Sequence, residues 1–200
     1  MLYIICALKH EARPVIEYYN LAHEGSALKH PVYINNEHGI FLAVSGTGMK
    51  SAADCVNSIY ERYDVLESDA WLNIGIAGHK DLEPGTPVLA AKITDVENNA
   101  TWTMRIPFAT YLITGNVSTL NTPSSNYDDK YYDMEAAGFY REAIRISDPE
   151  NIYCLKIVSD NAENSTRRIS GKFVRELVNK NLGEIDTLIS KIKACTGKAL

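Results

Sequence analysis

Three acidic side chains stand where they could take or give a proton. Glu11 closely follows the apolar run Met1–Leu8, and Asp160 ends a second apolar run. Glu135 lies among small residues in a segment with helical character. A carboxyl group beside apolar chain is partly desolvated, which raises its pKa and suits it to general acid or base catalysis. Taken singly, each acid could instead have only a structural role, because acidic side chains stabilise the first turn of a helix and act as N-caps.

Two glycine turns follow apolar runs and could approach a ligand closely. Gly46 and Gly48 precede a predicted helix, whose first N–H groups can receive an anion or a sugar hydroxyl. Gly75 and Gly78 end another apolar run. The first turn lacks both the GxGxxG spacing and the P-loop Lys-Ser/Thr. Each turn could equally be a tight connection between a strand and the next element.

Apolar runs alternate with segments of helical periodicity, which predicts strands alternating with helices. The predicted strands are Leu2–Leu8, Pro31–Asn35, Gly39–Ser45, Ala70–Ile76, Pro87–Val96, Trp102–Ile106, Thr110–Thr114 and Ile152–Val158. The predicted helices are Glu11–Tyr19, Met49–Tyr63, Met134–Ile146, Ser170–Asn179 and Ile185–Cys195, with a loop over Asn116–Asp129. We therefore expect one α/β domain over residues 1–200, a three-layer αβα fold around a twisted, mostly parallel mixed sheet.

Ligands of such sheets lie beyond the carboxyl ends of the strands. Five positions that could serve a ligand fall at or near such ends, so we expect them to gather at one cleft. They are Glu11, Gly46, Gly75, Glu135 and Asp160.

Composition and charge exclude several classes of protein. The net charge of −5 argues against a general nucleic-acid binder, which needs a basic face. The longest apolar run has eight residues, whereas a membrane span needs about 18. That run has no basic segment before it and no cleavage site after it, so we expect an intracellular, cytoplasmic protein. The four cysteines are far apart without a CxxC pair, which favours reduced thiols over a zinc site.

Five stretches, taken in order, resemble the nucleoside phosphorylase/nucleosidase superfamily (purine nucleoside phosphorylase/uridine phosphorylase family 1). The likeness is strongest to its methylthioadenosine/S-adenosylhomocysteine nucleosidase branch. The stretches are IICALKHE (4–11), VSGTGMKSAA (44–53), NIGIAG (73–78) with PGTPV (84–88), DMEAA (133–137) and IVSDNA (157–162). The family patterns that they resemble are SGxGxxxAA, NxGxAGG…xxGDxV, (D/E)MEA and xISDxAD. The resemblance implies a phosphorylase/hydrolase-like fold and cleavage of an N-glycosidic bond.

The resemblance also implies roles for the acids. Asp160 corresponds to the acid that protonates N7 of a purine leaving group, and Ser159 would steady that carboxyl group. Glu11 corresponds to the acid that orients the attacking water in the hydrolytic branch. This chemistry is coherent, because an oxocarbenium-like transition state requires a neutralised leaving base and is stabilised by nearby carboxylates. No metal and no organic cofactor is implied.

The remaining site residues follow from the same motifs. Glu135 would bind the ribose hydroxyls, Met134 would pack on the sugar, and Lys156 stands where that branch usually has an Arg near the sugar. The backbone turns expected to contact substrate are Gly46, Gly75, Ile76, Ala77 and Gly78.

The chain departs from the family pattern around the base. Ile76 replaces a small polar residue, and the segment Gly115–Thr119 lacks the expected aromatic side chain. Three aromatic residues elsewhere could stack on the base instead, or could belong to the core or to a subunit interface, where aromatics are enriched. They are Trp102, Phe108 and Tyr111. Family members are usually dimers or higher oligomers, so we expect a homo-oligomer.

Two alternatives to a nucleosidase stay open. A phosphorylase would need cationic groups for phosphate, and the Gly-Asp-Pro-x-x-Arg loop of the phosphorylases is absent. Arg13, Lys50 and Arg105 are the obvious substitutes, unless they are solvated surface charges. The other alternative is a degenerate homologue that binds a nucleoside without cleaving it.

Overall fold

A computed structural model describes residues 1–25, 29–124, 128–163 and 169–196. The strands are β1 (Leu2–Cys6), β2 (Ala22–Glu24), β3 (Val32–Asn35), β4 (Ile40–Val44), β5 (Ala70–Gly78), β6 (Pro87–Asp95), β7 (Ala100–Thr103), β8 (Ile113–Thr119), β9 (Tyr131–Asp133) and β10 (Ile152–Asp160). The helices are α1 (Lys9–Tyr18), α2 (Met49–Arg62), α3 (Ala136–Ala143), α4 (Gly171–Lys180) and α5 (Leu182–Thr196), with a short 3₁₀ turn at Pro149–Asn151.

The strands form one mixed sheet in the order β10-β6-β8-β9-β5-β1-β4-β3-β2, with β7 paired to β6. In the centre, β1 lies parallel to both β4 and β5, and β5 lies parallel to β10. Because β10 also pairs with β6, the strands β5, β10, β6, β8 and β9 close into a barrel. The expected α/β class with a mixed sheet is confirmed, and the closure is a feature that strand patterns alone do not reveal.

Both faces of the central sheet are covered, which explains why β1 is apolar throughout. Tyr3 and Ile5 face the core that α2 and α3 complete, whereas Leu2 and Ile4 face the core under α1, α4 and α5. Every residue of β1 is buried. Strands covered by helices on both faces have continuous apolar sequences, as predicted for this segment.

The region before α3 departs from the sequence prediction. The predicted loop Asn116–Asp129 begins inside β8, which continues to Thr119, and its residues 125–127 lie outside the described part of the chain. Thr119 is fully buried and its hydroxyl donates to Asp133, so a polar sequence is accommodated in a barrel strand. The helix predicted over Met134–Ile146 begins two residues later, because the chain first forms β9. The short edge strand β2 was not predicted.

A glycine in α3 permits the close packing of α3 on the start of α2. A Cβ at Gly138 would lie 2.0 Å from the carbonyl oxygen of Met49, so Gly138→Ala should destabilise the protein by about 1–3 kcal/mol through overpacking. Gly183→Ala in α5 is the matched control, because nothing lies within 4 Å of its Cβ position. That change should stabilise the protein by roughly 0.4–1 kcal/mol. Urea unfolding of the two variants and the wild type checks both changes. If the unfolding midpoints of Gly138→Ala and Gly183→Ala shifted equally, the close contact between α3 and α2 would be contradicted.

Candidate active site

A cavity of about 260 Å³ opens beyond the carboxyl ends of β1, β5 and β10. Glu11, Glu135 and Asp160 all line it, although they lie far apart in the sequence. The other described lining residues are Ala7, Leu8, Thr47, Ile76, Ala77, Gly78, Leu120, Thr122, Pro123, Ser124, Tyr132, Asp133, Met134 and Ile169. The position agrees with the rule for ligand sites in such sheets.

Glu11 lies in the first turn of α1 and is only 2% exposed. Its Oε2 accepts the Leu8 N–H at 2.8 Å and its Oε1 accepts the Ile76 N–H at 3.0 Å, which fixes the carboxyl group against the cavity wall. Burial raises the pKa of Glu11 to about 7, against the opposing effects of the Leu8 N–H and the Lys156 ammonium. A carboxyl group with this pKa can take a proton from water near neutral pH.

Glu135 stands at the start of α3 and lines the cavity. Its Oε1 accepts the N–H of Gly48 at 2.8 Å, which joins α3 to the N-terminus of α2. Gly48 has a φ of +94°, a conformation that favours glycine and turns this N–H toward the carboxylate. Burial raises the pKa of Glu135, and the nearby Lys156 opposes that rise. The remaining carboxylate oxygen can accept hydrogen bonds from a bound polyol.

Asp160 is the last residue of β10 and is 3% exposed. The Ser159 hydroxyl donates to its Oδ1 at 2.5 Å, so Ser159 holds the carboxyl group as the resemblance implies. Ser159 itself is buried and does not line the cavity. Asp160 therefore presents a held carboxyl group to any molecule in the cavity.

Lys156, which the resemblance placed near the sugar, does not line the cavity. Its side chain is buried behind the wall, with Nζ 2.7 Å from the Asp133 carboxylate. A Cβ at Gly75 would lie 3.2 Å from both this Nζ and Glu11 Oε1. The Lys156 ammonium and the Glu11 carboxyl group can therefore both lie next to the Gly75 backbone because it has no side chain. Burial by itself would lower the pKa of Lys156, but nearby groups, the Asp133 carboxylate above all, raise it above its ordinary value. Lys156 is therefore a charged counter-ion to the acids.

Asp133 is a site residue to which the sequence analysis gave no role. Its Oδ1 accepts the Thr119 hydroxyl at 2.7 Å, and its Oδ2 accepts the backbone N–H groups of Glu135 and Ala136. The same carboxylate pairs with Lys156. Asp133 thus links the backbone that carries Glu135 to the ammonium beside Glu11.

Some of the other residues predicted to contact substrate line the cavity, and others lie outside it. Met134, Ile76, Ala77 and Gly78 line the cavity, whereas Gly46 and Gly75 do not. Gly75 leaves the space used by Glu11 and Lys156, and Gly46 borders a separate surface depression.

The three aromatic residues considered for base stacking lie away from the cavity. Trp102 packs against Tyr140, and Phe108 stacks on Tyr153. Tyr111 is 67% exposed, beside the ammonium of Lys191. None of the three lines the cavity, which favours the alternative that they belong to the core or to an interface. An aromatic side chain that the sequence analysis missed, Tyr132, does line the cavity.

No Lys, Arg or His side chain is among the described residues that line the cavity. Arg13 pairs with Glu17 and Arg105 with Glu150, in both cases on the surface. Lys50 is exposed. None of the substitutes considered for phosphate binding reaches the cavity.

The described part of the chain covers residues 1–25, 29–124, 128–163 and 169–196. Within them, no group of three or more His, Cys, Asp and Glu side chains could hold a metal ion. No helix in the same ranges combines the length and the apolar character needed to cross a bilayer.

Comparison with known proteins gives a match at the level of structure. No protein-family model and no curated protein sequence matches the chain. The fold superposes on the 5′-methylthioadenosine/S-adenosylhomocysteine nucleosidase of S. pneumoniae with a transition-state inhibitor (TM-score 0.74, 17% identity, 97% of this chain and 99% of that chain). It superposes on the 5′-methylthioadenosine nucleosidase of Arabidopsis thaliana (TM-score 0.74, 16% identity, 96% of this chain and 95% of that chain). It also superposes on futalosine hydrolase of Helicobacter pylori (TM-score 0.72, 15% identity, 95% of this chain and 97% of that chain). The chain therefore has the fold of these nucleoside-cleaving enzymes, as the resemblance implied.

Proposed function

We propose that the protein hydrolyses the N-glycosidic bond of a purine nucleoside, or of a 5′-modified derivative of one. The observation that carries this proposal is the meeting of Glu11, Glu135 and Asp160 around one cavity. All three are at least nine-tenths buried, so their charges and protons act in a medium of low polarity. The structural neighbours, which include a nucleosidase with a transition-state inhibitor, support the same chemistry.

The three acids can divide the reaction between them. Asp160 gives its proton to the departing base as the bond between the sugar carbon and the base nitrogen breaks. The carboxylate of Glu135 holds the ribose hydroxyls and stabilises the positive charge that develops on the sugar. Water forms the new carbon–oxygen bond, and its proton passes to Glu11. The products are the free base and the free sugar.

The cavity favours water over phosphate as the nucleophile. Phosphate recognition relies on cationic side chains or clustered N–H donors, and no cationic side chain is found among the described lining residues. The N–H groups of Leu8 and Ile76 are already occupied by Glu11. A phosphate dianion would also lie close to the buried carboxylates of Glu11 and Glu135, which would repel it.

The test is a nucleoside panel assayed with and without inorganic phosphate. The panel comprises 5′-methylthioadenosine, S-adenosylhomocysteine, futalosine, adenosine and inosine, with base release followed by chromatography. We expect release of base and free sugar at a rate independent of phosphate. Asp160→Asn protein, purified identically, controls for contaminating host enzymes. Release of a sugar 1-phosphate would establish a phosphorylase instead, and binding without turnover would establish a nucleoside-binding protein.

We also propose that the protein is a cytoplasmic homodimer or higher homo-oligomer. Cys6, Cys55 and Cys154 are buried and unpaired, which suits a reducing compartment. Tyr111 and Ile113, two residues apart in the sequence, both have exposed apolar side chains, which suits a subunit interface. Light scattering at micromolar concentration tests the assembly, and a monomer would contradict it.

A further inference from the structure

We infer that Tyr132 stacks on the planar base of the nucleoside, over Gly78 and beside Asp160. This inference rests on the proposed function and names the residue that selects an aromatic leaving group. Of the described residues around the cavity, Tyr132 alone has an aromatic ring.

The strand register places these three residues in one row. Tyr132 of β9 is opposite Gly78 of β5, and Gly78 is opposite Asp160 of β10. Neighbouring strands are separated by about 5 Å, so the backbones of Tyr132 and Asp160 lie roughly 10 Å apart with Gly78 between them. Gly78 has no side chain and lines the cavity, so a flat molecule between Tyr132 and Asp160 would lie against its backbone.

Alternation along β9 sends its two tyrosines in opposite directions. Tyr131 is buried, with its ring 4.6 Å from the His79 ring and packed against Gly115. Tyr132 is half-buried and lines the cavity. Its hydroxyl hydrogen-bonds to the Asp128 side chain, which holds the ring at the cavity wall.

The neighbouring lining defines the class of base. Leu120 and Pro123 add apolar surface to the cavity, Thr122 adds a hydroxyl, and the described lining residues include no cation. A neutral heterocycle fits these walls. A purine stacked on Tyr132 would occupy the space above Gly78 and turn a ring nitrogen toward the Asp160 carboxyl group, where a proton can be given.

The experiment measures binding of free adenine, and separately of hypoxanthine, by isothermal titration calorimetry. Tyr132→Leu should weaken binding of the preferred base about 10- to 100-fold, since stacking contributes strongly to base affinity. Tyr132→Phe keeps the ring and should bind within about threefold of the wild type. Tyr60→Leu is the matched control, because that exposed tyrosine of α2 does not line the cavity, and it should leave binding unchanged.

A second variant keeps the inference testable if Tyr132→Leu does not unfold cooperatively. Gly78→Ala places a methyl group in the floor between Tyr132 and Asp160 and should also weaken base binding by about tenfold or more. Wild-type affinity in folded Tyr132→Leu, or in Gly78→Ala, would overturn the inference while leaving hydrolysis untouched. Conversely, Tyr132-dependent base binding in a protein that cleaves no nucleoside of the panel would support the inference and defeat the proposed hydrolysis.

Discussion

Asp160→Asn should lower kcat for nucleoside hydrolysis by about 10²- to 10⁴-fold while changing substrate affinity little. An asparagine has the same shape and can still accept the hydrogen bond from the Ser159 hydroxyl, but it has no proton to give to the leaving base. The loss should therefore fall on the chemical step and spare the ground-state complex. Steady-state kinetics, with separate measurement of substrate binding, checks this.

The leaving group provides a sharper readout for Asp160. The leaving group of a nitrophenyl riboside is nitrophenolate, a stable anion that departs without protonation. Hydrolysis of this substrate should therefore be much less sensitive to Asp160→Asn. Glu135→Gln is the comparison variant, because loss of the charge that supports the sugar should impair binding and rate for both kinds of substrate. If Asp160→Asn turns over purine nucleosides at nearly the wild-type rate, another group protonates the base and the assignment is wrong.

The gathering of the acids could be predicted because two physical rules act together. Glu11 comes shortly after β1 and Asp160 ends β10, and the parallel strands β1, β5 and β10 end at the same edge of the sheet. Glu135 comes just after β9, whose pairing with β5 brings it to the same edge of the sheet, and its role in binding the ribose came from the resemblance. The bond from Gly48 N–H to Glu135 is a tertiary contact that no local pattern specifies.

The role of Lys156 could not be predicted. The sequence gives its position in a motif, but it does not show whether the long side chain points into the cavity or away from it. A fully buried lysine requires a paired carboxylate, and its partner Asp133 is 23 residues earlier. The closure of the barrel was hidden for a similar reason. Polar β8 resembles a loop until the Thr119 hydroxyl is seen to bond with Asp133.

Tyr132 shows a further limit of sequence reasoning. The strand β9 has only three residues, too few for a periodic pattern, and its pairing with β5 consists of the single register pair Tyr132–Gly78. The sequence offered Trp102, Phe108 and Tyr111 as equally good aromatics. Only the register of the strands distinguishes a ring beside the cavity from rings that pack elsewhere.

The rate of hydrolysis should rise as pH increases through about 7, because Glu11 must be ionised to accept a proton from water. Burial raises the pKa of Glu11 to about 7, so below that pH most molecules carry a protonated, inactive Glu11. The charged groups that face it are Lys156, which favours ionisation, and Glu135, which opposes it. The profile of kcat/KM against pH reports this ionisation in the free enzyme.

Glu11→Gln should suppress hydrolysis by about 10²- to 10⁴-fold and remove the rise in rate near pH 7. An amide can neither take a proton from water nor ionise, so both effects have the same cause. Glu17→Gln is the matched control, because Glu17 lies on the same helix but is exposed and paired with Arg13 and Arg175. That variant should keep the rate and the pH profile of the wild type. A Glu11→Gln enzyme that is slow but still becomes more active through pH 7 would assign the ionisation to another group, and Glu11 would then orient the water without acting as its base.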